Sequence, residues 1–296
     1  MGRKMRILVV TKESRIEWDR RTSKDGLKAE KKRYSSEFRR ILASHEHQIL
    51  LRRELKSALK DADFISVAEL GKSVKRIGKK YDIVISLGGD LTFTTVSHFV
   101  GSIPILGMNS DPRRSVGALC SWKSDDIPHF VKRIKNKDYL TERWTMLSAK
   151  IDGKEIEPAI GEYFIGERER INMSKGIIVY RGKRYRQKSS GIIVSTGSGS
   201  TGWYNATSMG KPLIKPFGAT ARKAAFIVTE PYGNGNNTAA HLVGELGEGE
   251  KLKIISLNGR AGSVYADYHT RYEFKFGSKA VIGIGKKRLN VIVPGD

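Results

Sequence analysis

The hydrophobic pattern changes once along the chain, and that change limits the fold more than any other feature. Up to about residue 138, apolar runs of strand length alternate with segments of helical periodicity; beyond it only strand-length runs remain. Residues 5–10 read as a first strand. Phe38, Ile41, Leu42 and Ile49 recur at helical spacing, which predicts an amphipathic helix over 35–57, with 48–51 turning toward a strand. Further strands are expected at 63–66, 82–87 and 103–108, a short basic helix at 74–78, and helices at 92–100 and 125–135. Such alternation builds a parallel sheet with crossover helices. From Tyr139 onward the strand-length runs fall at 156–165, 176–180, 191–196, 224–229, 252–257, 263–266, 272–276, 281–285 and 289–293. Polar Asn136-Lys137-Asp138 marks the change. The expected architecture is an α/β, Rossmann-like N-terminal domain over 1–137 followed by a mainly β domain over 138–296.

Composition narrows the function classes. A chain of 296 residues with 39% hydrophobic content can bury a real core, which excludes disorder as a description of the whole. Its mean hydropathy is −0.40, and its apolar runs fall far short of the roughly 18–20 residues needed to cross a bilayer. Met1-Gly2-Arg3-Lys4 leads straight into the first strand, so the expected address is cytoplasmic. Cys120 is the only cysteine, which excludes an intrachain disulfide framework or a multi-cysteine zinc site, and it reads as a small buried hydrophobe. The 54 Lys+Arg against 31 Asp+Glu give a net charge of +23, which suits either a nucleic-acid surface or the handling of small phosphorylated anions. The cations cluster at Lys31-Lys32-Arg33, Arg52-Arg53, Arg113-Arg114, residues 181–188 and Lys286-Lys287-Arg288. No zinc-finger or RNP-like pattern accompanies them, so specific nucleic-acid binding is not expected.

Chemistry concentrates at two glycine turns. The strand over 82–87 runs into Gly88-Gly89-Asp90-Leu91-Thr92, where two glycines let the backbone approach an anion and present N–H groups to phosphate. A carboxylate beside phosphate is useful as a proton acceptor or orienter of an attacking hydroxyl, so Asp90 is a general-base candidate; equally, it reads as the cap of the following helix. The second turn, Ser195-Thr196-Gly197-Ser198-Gly199-Ser200-Thr201-Gly202-Trp203, follows the strand beginning at Gly191. It combines close backbone, neutral hydroxyl donors and aromatic faces for a base. The P-loop, HExxH and GxSxG patterns are absent from the sequence. His45 and His47 flank Glu46, but positions i and i+2 of a helix face different ways, so a solvated surface is expected rather than a metal site. His98, His129, His241 and His269 are scattered and carry no assignable role.

In this order and spacing the two turns resemble the NAD kinase family, whose patterns are GGDGT and a TGST-Ala-Tyr type turn. Thr11-Lys12 after the first strand, Gly107-Met108-Asn109-Ser110-Asp111-Pro112-Arg113-Arg114-Ser115 with Gly117-Ala118-Leu119-Cys120, Phe164-Ile165-Gly166-Glu167 and Gln187-Lys188-Ser189-Ser190-Gly191 extend the similarity, and look like the family's mitochondrial-type branch. The resemblance implies a Rossmann-like domain, an all-β domain and an active site in the crevice between them. It implies transfer of the γ-phosphoryl group of ATP, as its Mg2+ complex, to the 2′-hydroxyl of the adenosine ribose of NAD. Asp90 would be the catalytic residue; Gly88, Gly89, Thr92, Ser198 and Ser200 would hold ATP and its phosphates. Asn109, Glu162, Thr196, Thr201, Gly202, Trp203 and Asp267 would bind NAD. Magnesium would come with ATP, and a homo-oligomer, dimer or tetramer, is implied.

The sequence departs from the family pattern at three places. Leu91 replaces the glycine at the fourth position of GGDGT, at a cost of roughly 1–2 kcal/mol if the turn needs a left-handed backbone there. The family's Asn-Glu pair appears as Gly161-Glu162 and its late Asp-Gly pair as Asp267-Tyr268. Two other readings therefore stand beside NAD phosphorylation: a kinase of the same fold acting on a nucleoside, polyol or lipid, and a non-catalytic nucleotide or polyanion binder.

Overall fold

The computed structural model describes residues 4–22, 35–71, 77–78, 80–208, 214–232, 238–239 and 242–295. Lys31-Lys32-Arg33, most of the helix expected over 74–78, and His241 lie outside them. The chain divides into two compact units, Met1–Glu142 with Asn290–Asp296, and Arg143–Leu289. The closing residues thus group with the first unit and not, as their β pattern suggests, with the second.

The first unit is an α/β layer. Its strands β1 (Ile7–Thr11), β2 (Asp63–Ser66), β3 (Ile83–Gly88) and β4 (Ile105–Asn109) pair in parallel in the order β2-β1-β3-β4. Val291, from the end of the last strand, adds a parallel pairing to Ile105. β1, β3 and β4 are buried along their whole lengths, which explains why they read as continuous apolar runs. The helices are α1 (Arg15–Thr22), α2 (Ser35–Ala58), α3 (Asp90–Val100) and α4 (Ile127–Asn136). α1 escapes sequence reading because its inward positions are just Ile16 and Asp19, in a segment dense in arginine. α2 continues through 48–51 with no turn toward strand, because Gln48 and Leu51 lie on its buried face with Ile41 and Leu55. α4 starts where the Asp126 carboxylate accepts the His129 N–H (2.9 Å) and stops at Lys137, which takes a left-handed φ of 56°. That stop is the physical content of the polar Asn136-Lys137-Asp138 signal.

The second unit is antiparallel throughout. One sheet, β12 (Val243–Leu246), β11 (Ala224–Thr229), β10 (Gly191–Ser195), β7 (Glu162–Glu167), β14 (Gly262–Ala266) and β15 (Thr270–Glu273), pairs in that order. The other joins the first part of β16 (Lys279–Pro294) to β13 (Lys251–Ser256), β8 (Ser174–Tyr180) and β9 (Lys183–Ser189), with β5 (Tyr139–Ile151) and β6 (Lys154–Glu155) alongside. Tyr163, Ile165, Ile178, Phe226, Leu252 and Ile282 from both sheets share one buried cluster, the packing of a sandwich. The outer face of β10 and β11 is covered by α5 (Trp203–Ser208), through Tyr204 against Ile193 and Ile227. The two runs expected at 281–285 and 289–293 are one strand, and 156–161 precedes β7 instead of extending it. β9 is invisible to hydropathy because most of its residues are charged. Among the described residues no helix is long and apolar enough to cross a membrane.

Candidate active site

In the first unit β1 is flanked by β2 and β3, so successive crossovers leave it in opposite directions along the sheet. The carboxyl ends of β1 and β3 form the switch point where open α/β sheets bind ligands. The Gly88-Gly89-Asp90 turn stands there. The Lys12 N–H donates to Leu87 O (3.0 Å), which brings a lysine of the β1 end beside the turn.

Geometry accounts for each residue of the motif. A Cβ on Gly88 would stand 2.6 Å from Thr92 Cγ2 and closer still to its Oγ1, so glycine is what lets α3 start tight against β3. Gly89 is the N-cap, with extended backbone and no side chain to cap the first turn, so the opening N–H groups of α3 face outward from the helix end. Asp90 opens α3, but its carboxylate turns away from that helix: Oδ2 accepts the Ala118 N–H (3.1 Å) and Oδ1 the Leu119 N–H (2.8 Å). Each oxygen retains a further acceptor direction. Asp90 therefore does not cap α3. In sequence Ala118 and Leu119 enter only as part of the family resemblance, with no role attached; nothing short of the fold brings their amides 28 and 29 residues back along the chain to Asp90.

Leu91 corrects a sequence expectation. It lies in the first turn of α3, has no positive φ, and is 66% exposed, so the position makes no left-handed demand and carries no such strain. Thr92 is buried, with its side chain against Gly88, which leaves its backbone rather than its hydroxyl to meet a phosphate. Asn109 is also turned to the protein: Nδ2 donates to Ser115 O (2.8 Å) and Oδ1 accepts the Asp111 N–H (3.0 Å), tying down the loop that leads to the 118–119 amides. Cys120 packs behind the turn with its thiol toward Gly88 O (3.7 Å). Burial first, and the Asp90 charge second, push that thiol up to about 12, so it is not a nucleophile at neutral pH.

The two histidines of α2 do face different ways, yet neither is simply solvated. His45 Nδ1 is hydrogen bonded to Ser14 Oγ (2.7 Å), and His47 lines a cavity of about 360 Å³ between α2 and residues 111–114.

In the second unit the hydroxyl-rich turn departs most from expectation. Thr196, Ser198 and Ser200 are buried. Thr196 Oγ1 and Ser198 Oγ both donate to Ile160 O, the latter at 2.8 Å, and Ser200 Oγ donates to Gly197 O (2.7 Å). These hydroxyls brace the loop from inside. Thr201 and Gly202 are exposed, and Trp203 is half-buried, stacked on Phe164 with centroids 4.9 Å apart and the Arg170 guanidinium 4.9 Å from its ring. One face of the indole is thus taken.

Across the same turn, Asp267 receives three backbone N–H groups: Ile160 at Oδ2 (3.0 Å), and Gly161 (2.8 Å) and Glu162 (2.9 Å) at Oδ1. It holds this position from a left-handed backbone, φ 49°. Glu162 has a buried Oε2 with no hydrogen-bond partner among the described residues. Burial, and then the Asp267 charge, push its carboxyl up to about 8, so it is protonated at neutral pH and able to donate.

No family profile matches the chain. It is 29% identical over 209 residues to an NAD kinase of Flavobacterium psychrophilum, covering 65% of this chain and 67% of that one. It is 25% identical over 237 residues to a probable NADH kinase of Oryza sativa, covering 72% and 71%. Among solved structures, an NAD kinase from Archaeoglobus fulgidus in complex with ATP shares the fold with a TM-score of 0.63 at 17% identity, over 98% of this chain and 94% of that one. The similarity reaches bacterial and plant proteins and marks no single branch. In sequence the chain is similar to NAD kinases, and it shares the fold of one.

Proposed function

We propose that the protein transfers the γ-phosphoryl group of ATP to the 2′-hydroxyl of the adenosine ribose of NAD, giving NADP and ADP. The observation that carries this is the placement of Asp90: a carboxylate fixed by two backbone amides, beside an uncapped helix N-terminus, at the switch point of a parallel sheet. A ribose hydroxyl is a weak nucleophile at neutral pH, and phosphoryl transfer depends chiefly on positioning and charge stabilisation. The remaining acceptor directions of Asp90 orient the hydroxyl and take its proton as the new P–O bond forms and the bond to ADP breaks.

Gly88, Gly89 and the backbone of Thr92 offer N–H groups to the donor phosphates, and Lys12 offers an ammonium. Magnesium enters as part of the ATP substrate and offsets charge on its phosphates. In the second unit the exposed Thr201-Gly202 segment and the half-buried Trp203 receive the dinucleotide, and protonated Glu162 donates to it. Thr196, Ser198, Ser200, Asn109 and Asp267 serve by holding the loops in place. We further expect a homo-oligomer, dimer or tetramer, working in the cytoplasm; sedimentation velocity tests the first.

The test is NADP formation from NAD, ATP and magnesium, read with an NADP-specific dehydrogenase, with NADH as a parallel acceptor. Asp90→Asn should lower kcat by about 10²–10⁴ with ATP affinity little changed. NADP formation near the unmutated rate by Asp90→Asn removes the base assignment, and no NADP with any nucleotide donor or polyphosphate removes the function.

A further inference from the structure

A kinase for two small anions needs a few well-placed cations, whereas this chain carries +23. Part of the excess is organised. β13, β8 and β9 lie side by side in the second unit, and none of the three contains an Asp or Glu. Their side chains alternate: Leu252, Ile254, Ile178 and Gln187 are buried, which turns the intervening positions to solvent. Those positions are Lys251, Lys253 and Ile255 on β13, Lys175 with Ile177 and Val179 on β8, and Arg184, Arg186 and Lys188 on β9.

The register sharpens the pattern. Lys175 stands directly opposite Lys188, and Val179 is flanked by Lys253 and Arg184 in one row. Like charges directly opposite on a sheet destabilise it, so this arrangement is not explained by folding. Lys251 lies along Gly283 of the neighbouring strand, which spreads the cationic surface further. The ion pairs Arg181–Glu250 and Lys223–Glu245 do not involve Lys175, Arg184, Arg186, Lys251 or Lys253. The β9 cations and the Lys251–Lys253 end of β13 thus flank Ile177 and Val179 of β8, two inter-strand spacings or roughly 10 Å apart.

We propose that this face docks on the sugar–phosphate backbone of double-helical DNA, without reading sequence. A second copy of the chain is disfavoured, because a two-fold contact would set cations against cations. An anionic membrane is disfavoured because no Trp, Phe or Leu stands on the outward positions to enter the headgroup region. Single strands need rings for stacking, and none stands on the outward positions; at the border the Lys188 ammonium lies 4.2 Å from the centroid of the Tyr232 ring. Cations held two strand spacings apart suit instead two backbones bordering a groove roughly 12 Å wide.

The proposal does not depend on the kinase reading. Its test is fluorescence anisotropy of the purified full chain with labelled 20-bp DNA duplexes of unrelated sequence, over a salt series. About five phosphate contacts give a slope of log K against log salt of about −4 to −5. Arg184→Gln/Arg186→Gln/Lys253→Gln should weaken binding at least tenfold and flatten the slope by about 2–3. Arg53→Gln/Lys123→Gln/Lys132→Gln, which removes equal charge from exposed positions of the first unit, should change it little. Thermal melts and NADP formation, unaltered in both triple variants, establish that each is folded. Equal losses in the two variants overturn the proposal. So does tighter binding to single-stranded DNA, duplex RNA or phosphatidylserine vesicles, or self-association that the first variant abolishes.

Discussion

Asp267→Asn separates two effects that the structure places in one carboxylate. Asparagine tolerates a left-handed backbone, so the φ of 49° adds no new cost, as alanine would. The amide oxygen in place of Oδ1 can still accept from Gly161 and Glu162, but its NH2 then faces the Ile160 N–H, which loses its acceptor. One bond to a charged group is lost and two fall to neutral strength, about 2–4 kcal/mol in all. The opposing effect is electrostatic. Below about pH 8 Glu162 is protonated and the full loss appears; above it Glu162 is ionised, and removing the neighbouring charge relieves repulsion, so the loss shrinks. The wild type carries the matching signature: its folded state keeps a proton that the unfolded chain releases near 4.5, so stability falls by about 1.4 kcal/mol per pH unit between 4.5 and about 8. Glu162→Gln abolishes that decline and makes the Asp267→Asn penalty independent of pH. Urea unfolding of the four proteins at pH 6 and 9 reads every term. A single-variant penalty that is the same at both pH values, or below about 1 kcal/mol, refutes the reasoning.

Three further outcomes are expected. Gly88→Ala places a Cβ against the Thr92 side chain and must push out the first turn of α3 with Asp90 on it; stability should fall by about 1–3 kcal/mol, and an unchanged urea midpoint would count against that packing. Leu91→Gly, which restores the family's glycine, should cost about 0.5–1 kcal/mol and leave kcat unimproved, since the position is helical; higher activity would show that the turn needs the freedom. Cys120 should react with iodoacetamide at pH 8 far more slowly than a free thiol, because its thiol lies near 12; rapid labelling in the native state would contradict that.

What could be read in advance was what local pattern controls. Buried parallel strands announce themselves as apolar runs, and Gly88-Gly89 at the end of one of them is a local necessity visible in sequence. Strand β9 is illegible in sequence because Lys183, Arg184, Arg186 and Lys188 break every apolar pattern, and the last strand reads as two because Lys286-Lys287-Arg288 interrupt it. The orientation of the hydroxyl-rich turn is illegible for a different reason. Composition shows that Thr196, Ser198 and Ser200 carry donors but not which way they point, and here they point inward to Ile160 and Gly197 carbonyls. A loop of this length with so many glycines needs internal acceptors and donors to hold one shape, and the hydroxyls supply them.

The departures from the family pattern, which read separately in sequence, are coupled in space. A Cβ on Gly161 would stand 3.0 Å from Asp267 Oδ1, and one on Gly199 would meet the Gly161 backbone and, at 2.6 Å, Ser195 Oγ. Gly161 is therefore where the 160–162 backbone bends close enough for three amides to reach a single carboxylate, with the second glycine turn pressed against it. An asparagine there would have to displace that carboxylate or the turn. Asp267 in turn sits left-handed, and the residue after it, Tyr268, is directed outward and 54% exposed, so the glycine of the family pair is replaced without intruding on the lock. Where the family pattern has an asparagine, this chain has a tight hydrogen-bonded cluster, in which protonated Glu162 is the donor left over. The acceptor it selects should accordingly depend on the protonation of Glu162 more than on any side chain at 161.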